Sequence, residues 1–289
     1  VSARALFGST HTLFTKYLPK WEISTSYFPV DDLSLVEDLI QSNTKCIYVE
    51  SPTNPGVDIL DLEAIGKIAK KHKLLFIVDN CFATPYLQQP IKYGADLVIH
   101  SATKLMDGQG RVLGGVTVGS KELIRELFLF ARNTGASLSP FNAWVLSKSL
   151  ETLAVRVDRH CDNAFTIAEK LVVSQNINWV KYPFLKSHPQ YALAKKQMLK
   201  GGNIIAFELI GGLEAGQNFI NAIELCSLSS NLGDSRTIIT HPASTTHSKL
   251  TKEDRMAVGI TDGMIRLSIG LEHPEDIWND LKNALSKIG

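Results

Sequence analysis

Hydrophobic and polar positions change rhythm along this chain. In the first half, short apolar runs alternate with stretches of helical spacing. Lys45-Cys-Ile-Tyr-Val49 is a short apolar strand that ends in Glu50-Ser-Pro-Thr-Asn-Pro-Gly56, which is turn chemistry. Asp61 then N-caps a predicted helix to about Lys71, with acids at its start (Asp61, Glu63) and lysines at its end, as the helix dipole favours. Leu74-Leu-Phe-Ile-Val78 is a continuous apolar run and predicts a parallel strand buried on both faces. Asp96-Leu-Val-Ile-His100 predicts a third strand and Val116-Thr-Val118 a short fourth. A helix follows over roughly Lys121 to Arg132. Strands alternating with helices imply an α/β domain with a mostly parallel sheet.

Ser139-Pro140 has the residue types of an N-cap and first helical position, and predicts one long helix running into a second domain around Arg156. Beyond it, Asn203–Leu209 and Met264–Ile269 predict strands, and Pro274–Ile288 a terminal helix. The expected division is a large domain over 1–155 and a smaller α+β domain over 156–289. No internal repeat or low-complexity segment interrupts this order.

Composition narrows the class. The chain has 289 residues, enough for two domains and a core that needs no disulfide or metal. Its 30 basic and 29 acidic residues give a net charge of +1, with no basic stripe for nucleic acid or polybasic patch for a membrane. Cys46, Cys81, Cys161 and Cys226 form no C-x-x-C pair, which suits a reducing cytoplasmic compartment. No run of 18 apolar residues predicts a membrane span.

Three polar groups follow the three apolar runs: Asn54, Asp79 and Ser101-Ala-Thr-Lys104. Ligands of open parallel sheets bind outside the carboxyl ends of the strands, so these groups can converge. Lys104 can form an imine with an aldehyde cofactor and shuttle protons. Asp79, leaving an apolar run, needs a cationic partner, and a protonated pyridine nitrogen is one. The hydroxyls of Ser101 and Thr103 suit a phosphate. Asn54 is held extended by Pro55 and can reach a ring oxygen. In Met264-Ile-Arg-Leu-Ser-Ile269, Arg266 faces away from Ile265, Leu267 and Ile269 and suits a carboxylate. Singly, each has a plainer reading: a solvated lysine, a capping Asp, a turn Asn, an ion-paired Arg. Their joint order carries more than any member.

That order resembles the cystathionine γ-synthase-like family of pyridoxal-5′-phosphate (PLP) enzymes. The segments that carry the resemblance are Glu50-Ser-Pro-Thr-Asn-Pro55, Val78-Asp-Asn80, Thr84-Pro-Tyr86, His100-Ser-Ala-Thr-Lys104, His241-Pro-Ala-Ser-Thr-Thr-His247 and Ile265-Arg-Leu-Ser-Ile-Gly-Leu271. It implies PLP-dependent transferase fold type I, with Lys104 as the Schiff-base lysine and Asp79 on the pyridine nitrogen. It also implies Ser101 and Thr103 at the phosphate and Asn54 and Arg266 at the substrate carboxylate. Phe7 stands where many relatives have a ring-stacking Tyr.

The run Lys104–Gly115, Ser139–Trp144 and Asn231-Leu-Gly-Asp234 is similar to the O-succinylhomoserine sulfhydrylase branch. A Cys that methionine γ-lyases carry near Ser9 is absent, as is a Glu that cystathionine γ-synthases and γ-lyases carry near Ser229–Asn231. The resemblance implies an amino-acid substrate and sulfide as partners, and a homotetramer built as a dimer of dimers. It also implies that the family's N-terminal segment, with a Gly-Met pair at the phosphate and a Tyr and Arg reaching the neighbouring site, is missing here. Cystathionine γ-synthase or γ-lyase activity, and a non-catalytic assembly module, are the competing expectations. Arg111 is a candidate for a succinyl carboxylate, or else a brace of its own loop. Gly108-Gln-Gly110 opens no helix, which argues against a dinucleotide loop, and the six-residue spacing of His241 and His247 matches no helical zinc pair.

Overall fold

A computed structural model describes residues 1–246, 248, 251–257 and 259–288, without the side chains of Asp254 and Ala257. In the first half the chain order is β1 (Ser2–Ala3), α1 (Gly8–Thr12), β2 (Tyr27–Phe28), α2 (Leu35–Asp38), β3 (Cys46–Glu50), α3 (Leu62–Lys71), β4 (Leu75–Asp79), α4 (Thr84–Leu87), β5 (Leu97–Ser101), β6 (Gly115–Gly119) and α5 (Lys121–Thr134). These strands form one sheet in the order β2-β1-β3-β4-β5-β6, parallel throughout except for β6, which runs antiparallel to β5.

Two further helices, α6 (Pro140–Leu150) and α7 (Leu153–Val172), lead to a second set of elements. These are β7 (Ile177–Lys181), α8 (Tyr191–Gln197), β8 (Ile204–Leu209), α9 (Gly212–Asn221), β9 (Ser227–Leu228), β10 (Ile238–Thr240), α10 (Lys252–Ala257), β11 (Met264–Ser268) and α11 (Pro274–Leu285). Their strands form a second, mixed sheet in the order β7-β8-β11-β10-β9. The expected boundary at 155/156 falls within the first turn of α7.

Each sheet has its own core. Phe76 and Val78 of β4 pack with Ile47, Ile65 and Ala69 under the first sheet. Ile265 and Leu267 of β11 pack with Ile167 and Leu171 of α7 and Leu281 of α11 under the second. The helix expected after Asp61 forms over Leu62–Lys71, and the Asp61 side chain accepts from the Ala64 N–H.

Two expectations are corrected. The run Leu74–Val78 does not give a strand buried on both faces: Phe76 and Val78 are fully buried, while Leu75 is 38% exposed and Ile77 half-buried. Only the face toward α3 is fully covered; the other carries Asp79 at its end. The long helix from Pro140 is also two helices. At the break, the Ser149 carbonyl accepts from the Thr152 N–H (3.2 Å), the Thr152 hydroxyl (3.2 Å) and Arg156 Nη2 (3.0 Å). Three donors around one carbonyl take it out of the helical ladder. No helix among the described residues is long and apolar enough to cross a membrane.

Candidate active site

The parallel run β3-β4-β5 brings three strand ends to one edge. Glu50 lies opposite Asp79, and Asp79 opposite Ile99, two residues before Ser101. Side chains alternate along a strand, so Tyr48, Glu50, Asp79 and Ser101 share one face. Two carboxylates therefore stand side by side, and neither has a basic partner among the described residues. Asp79 Oδ1 accepts from the Cys81 N–H at 3.0 Å and Oδ2 from the Tyr48 hydroxyl at 3.5 Å. Burial pushes the Asp79 carboxyl up to about 6. Glu50 is 4% exposed, and burial, reinforced by the Asp79 charge, raises its carboxyl well above the ordinary range. Glu50 Oε2 accepts from the Phe7 N–H at 2.7 Å.

The segment after β5 holds Lys104 tightly by its backbone. The Lys104 N–H bonds the Ser101 carbonyl (3.1 Å), and the Lys104 carbonyl accepts from Gly108 (2.8 Å). Gly233, at φ +71°, crosses directly over it: a Cβ there would stand 2.7 Å from the Leu105 nitrogen, so a side chain would push residues 231–234 off the lysine segment. That crossing brings Asn231 Oδ1 to 2.5 Å from Lys104 Nζ, which donates to it. The Lys104 ammonium is lowered from its ordinary value, first by burial and then by Arg266, while Cys81 acts the other way.

Arg266 reaches the same place from the second sheet. Its strand buries Ile265 and Leu267 on the opposite face, which leaves the guanidinium pointing toward the first sheet's loops. Nη1 donates to Asn54 Oδ1 (3.1 Å), and Nη2 donates to the carbonyls of Ser230 and Asn231 (3.0 Å each). Nε is buried with no partner, and no carboxylate pairs with this side chain among the described residues. Burial lowers its pKa to about 10.

Of the residues singled out in the sequence, Lys104, Asn54 and Arg266 form one connected cluster through Asn231. Asp79 and Phe7 join through Glu50. The Ser101 hydroxyl has no partner among the described residues. Thr103 is already engaged: its hydroxyl donates to the Gly114 carbonyl (3.3 Å) and accepts from the Gly114 N–H (3.1 Å), closing the loop. Arg111 donates through Nε to Asp107 Oδ1 at 3.0 Å and through Nη2 to the Ser149 hydroxyl at 2.6 Å, contacts that brace its own loop. His241 has Ser244 Oγ 2.8 Å from Nδ1 and the Asp262 carbonyl 2.7 Å from Nε2, so both ring nitrogens face protein atoms. His247 lies outside the described residues. Missed in the sequence were Glu50 and the contact of Asn231 with Lys104. Strand parity places Glu50 in register with Asp79; no local signal places Asn231.

The donor set fits PLP. A half-buried carboxylate without a cation suits the pyridine nitrogen, and a half-buried amine of lowered basicity suits the aldehyde. A buried guanidinium without an anion suits an amino acid's carboxylate.

Residues 1–286 match the family described as Cys/Met metabolism PLP-dependent enzyme. The chain is 45% identical to the O-succinylhomoserine sulfhydrylase of Pseudomonas aeruginosa over 286 residues, 99% of this chain and 71% of that protein. It is also 45% identical to the L-methionine gamma-lyase of Fusobacterium nucleatum, over 100% of this chain and 74% of that protein. A Campylobacter jejuni structure containing N′-pyridoxyl-lysine-5′-monophosphate superposes with a TM-score of 0.94, at 38% identity, over 99% of this chain and 76% of that one.

Proposed function

Since this chain belongs to the Cys/Met metabolism PLP-dependent enzyme family, we propose that it replaces the acyl group of O-succinylhomoserine or O-acetylhomoserine with sulfide, giving homocysteine. It is a PLP-dependent enzyme of the transferase or lyase type, with fold type I architecture. The observation that carries the reading is the half-buried Lys104 amine, lowered in pKa and hydrogen-bonded to a neutral amide. Such an amine is free to lose its proton and act as nucleophile and base.

Lys104 anchors the cofactor in this reading, Asp79 holds the ring nitrogen's proton, and Ser101 receives the phosphate, with Thr103 joining once its hydroxyl hydrogen turns from the Gly114 carbonyl. Phe7 covers the ring. Asn54 and Arg266 hold the substrate carboxylate, and their contact at 3.1 Å keeps both on one side of Lys104. Bound there, PLP would supply an aldehyde to hold the substrate amine and a ring to take up the charge left when a proton leaves the adjacent carbon. Lys104 Nζ would relay the protons that leave Cα and Cβ in turn. The Cγ–O bond breaks as succinate or acetate leaves as its carboxylate, hydrosulfide forms the Cγ–S bond, and the two protons return to Cβ and Cα. Asn231 Oδ1 steadies the amine between transfers. Arg111 enters only as the brace of the lysine loop. The amino acid and sulfide are the partners; the proposed setting is a cytoplasmic homotetramer, and the proposed division of the chain stays at 155/156.

Lys104→Ala is expected to abolish borohydride-trapped cofactor at this position and to cut turnover by about 10³-fold or more, the range for losing a nucleophile and proton carrier. A trapped cofactor that persists elsewhere, with turnover intact, overturns the reading. Elimination is the second reading, favoured by the equal identity to the L-methionine gamma-lyase. Product analysis with and without sulfide separates the two: replacement gives homocysteine only when sulfide is present, elimination gives 2-oxobutyrate and ammonia without it.

A further inference from the structure

Glu50 has no place among the groups assigned above, yet it touches three of them. Its side chain shares a sheet face with Asp79 and lies directly opposite it in the β3–β4 register. Its Oε2 accepts the Phe7 N–H at 2.7 Å, and the Asn54 N–H also reaches the same carboxyl. Asn54 in turn accepts from Arg266 Nη1. One buried carboxyl group thus ties the segment bearing the Phe7 ring, the loop bearing the substrate-carboxylate amide, and the strand end bearing Asp79.

We propose that Glu50 is a positioning residue: it sets the spacing between the surface that receives the cofactor ring and the Asn54–Arg266 clamp, without itself touching substrate. The argument is geometric. Phe7 follows β1 and Asn54 follows β3, neighbouring parallel strands whose carboxyl ends lie at one edge of the sheet. The Phe7 N–H is bonded to the Glu50 carboxyl and the Asn54 N–H faces the same group, so a shift of that side chain is felt on both loops. A charged or polar acceptor buried at such a junction is costly to replace by nothing and tolerant of replacement by another acceptor.

This inference rests on the proposed reaction, and its test has one arm that does not. In the cofactor-free protein, Glu50→Ala is expected to speed amide hydrogen exchange at Phe7 and Asn54, and Glu50→Gln, which keeps an acceptor oxygen, to leave it near wild type. In the PLP-loaded enzyme, Glu50→Ala is expected to raise KM for the O-acylhomoserine about 10-fold while kcat changes less, and Glu50→Gln to recover most of it. Glu50→Asp, one methylene shorter, is expected to fall between them and serves if the alanine variant does not fold. A plain fold brace would lower thermal stability without splitting KM from kcat. Unchanged exchange at both amides, or a glutamine variant as impaired in KM as the alanine one, overturns the proposal. A wild-type enzyme without trapped cofactor at Lys104 would instead defeat the reaction assigned above and leave the exchange result standing.

Discussion

Asp107 and Asp79 are carboxylates on either side of Lys104 in the sequence, and the fold surrounds them differently. Asp107 is fully buried; it accepts from the Arg111 N–H at 2.7 Å and from Arg111 Nε at 3.0 Å, and the Arg111 guanidinium forms an ion pair with it. Arg156, held by the carbonyls of Leu105 and Met106 at 2.7 and 3.2 Å, adds a second cation nearby. Asp79 has a backbone N–H, a distant Tyr48 hydroxyl and a second carboxylate beside it. The first cluster is closed. The second lacks a cation, just as Arg266 lacks an anion. A protein that leaves buried charge unmatched in this way gives up stability that a ligand of the opposite sign restores.

The comparison can be broken most sharply at Asp79. In the PLP-loaded enzyme, Asp79→Asn is expected to lower kcat/KM by about 10²–10³-fold, the range for losing one preorganised charge contact. In the cofactor-free protein the same substitution is expected to stabilise. The folded carboxyl titrates near 6 against an ordinary value of 3.8. Between those values the folded state binds more protons than the unfolded, so stability falls as pH rises through that window and the loss is complete above it. Asn removes this penalty, which is up to about 3 kcal/mol at pH 7 and about half of that at pH 5. Urea unfolding of cofactor-free protein at the two pH values checks both size and slope.

Asp107→Ala is expected to act in the opposite direction. It leaves Arg111 and Arg156 without their shared anion and should cost about 3 kcal/mol, at the low end for breaking a buried pair because Arg111 is partly exposed. The denaturation midpoint of the cofactor-free protein should fall at pH 5 and pH 7 alike. If Asp79→Asn and Asp107→Ala moved stability the same way, the two clusters would not differ as described.

Gly108→Ala probes the closed cluster more gently. Gly108 has φ +71°, and a Cβ there would stand 2.1 Å from Arg156 Nη1. Strain plus displacement of that guanidinium should cost about 2 kcal/mol. The smallest effect belongs to Arg111→Gln. Because the residue-111 N–H, a glutamine amide and nearby Arg156 still serve Asp107, the loss should be only about 1 kcal/mol of stability, with KM for the O-succinyl ester unchanged. A KM rise confined to the succinyl ester, sparing the acetyl one, would return Arg111 to substrate contact.

Much of the scaffold was legible because its causes are local. Apolar runs marked β3, β4 and β5, and Asp61 and Ser139 marked helix starts, since N-capping needs only residues three apart. The division of the helix after Ser139 was not legible, because Arg156 takes the Ser149 carbonyl while anchored to Leu105 and Met106, about fifty residues away. Glu50 was half legible: its parity was visible, its donors at Phe7 and Asn54 were not.

The sequence by itself determined which residue types end the parallel strands, and hence that a lysine, a carboxylate and hydroxyls meet at one edge. Short-range alternation suffices for that, because a strand sends every second side chain to the same face. Only the tertiary structure decided which charges are matched. Arg111 and Arg266 are equal candidates for a carboxylate in the sequence; one finds its anion four residues away at Asp107, while the other meets Asn54 across 212 positions of chain and keeps its charge open. Pairing at that separation depends on how the two sheets face each other, and no local pattern records it.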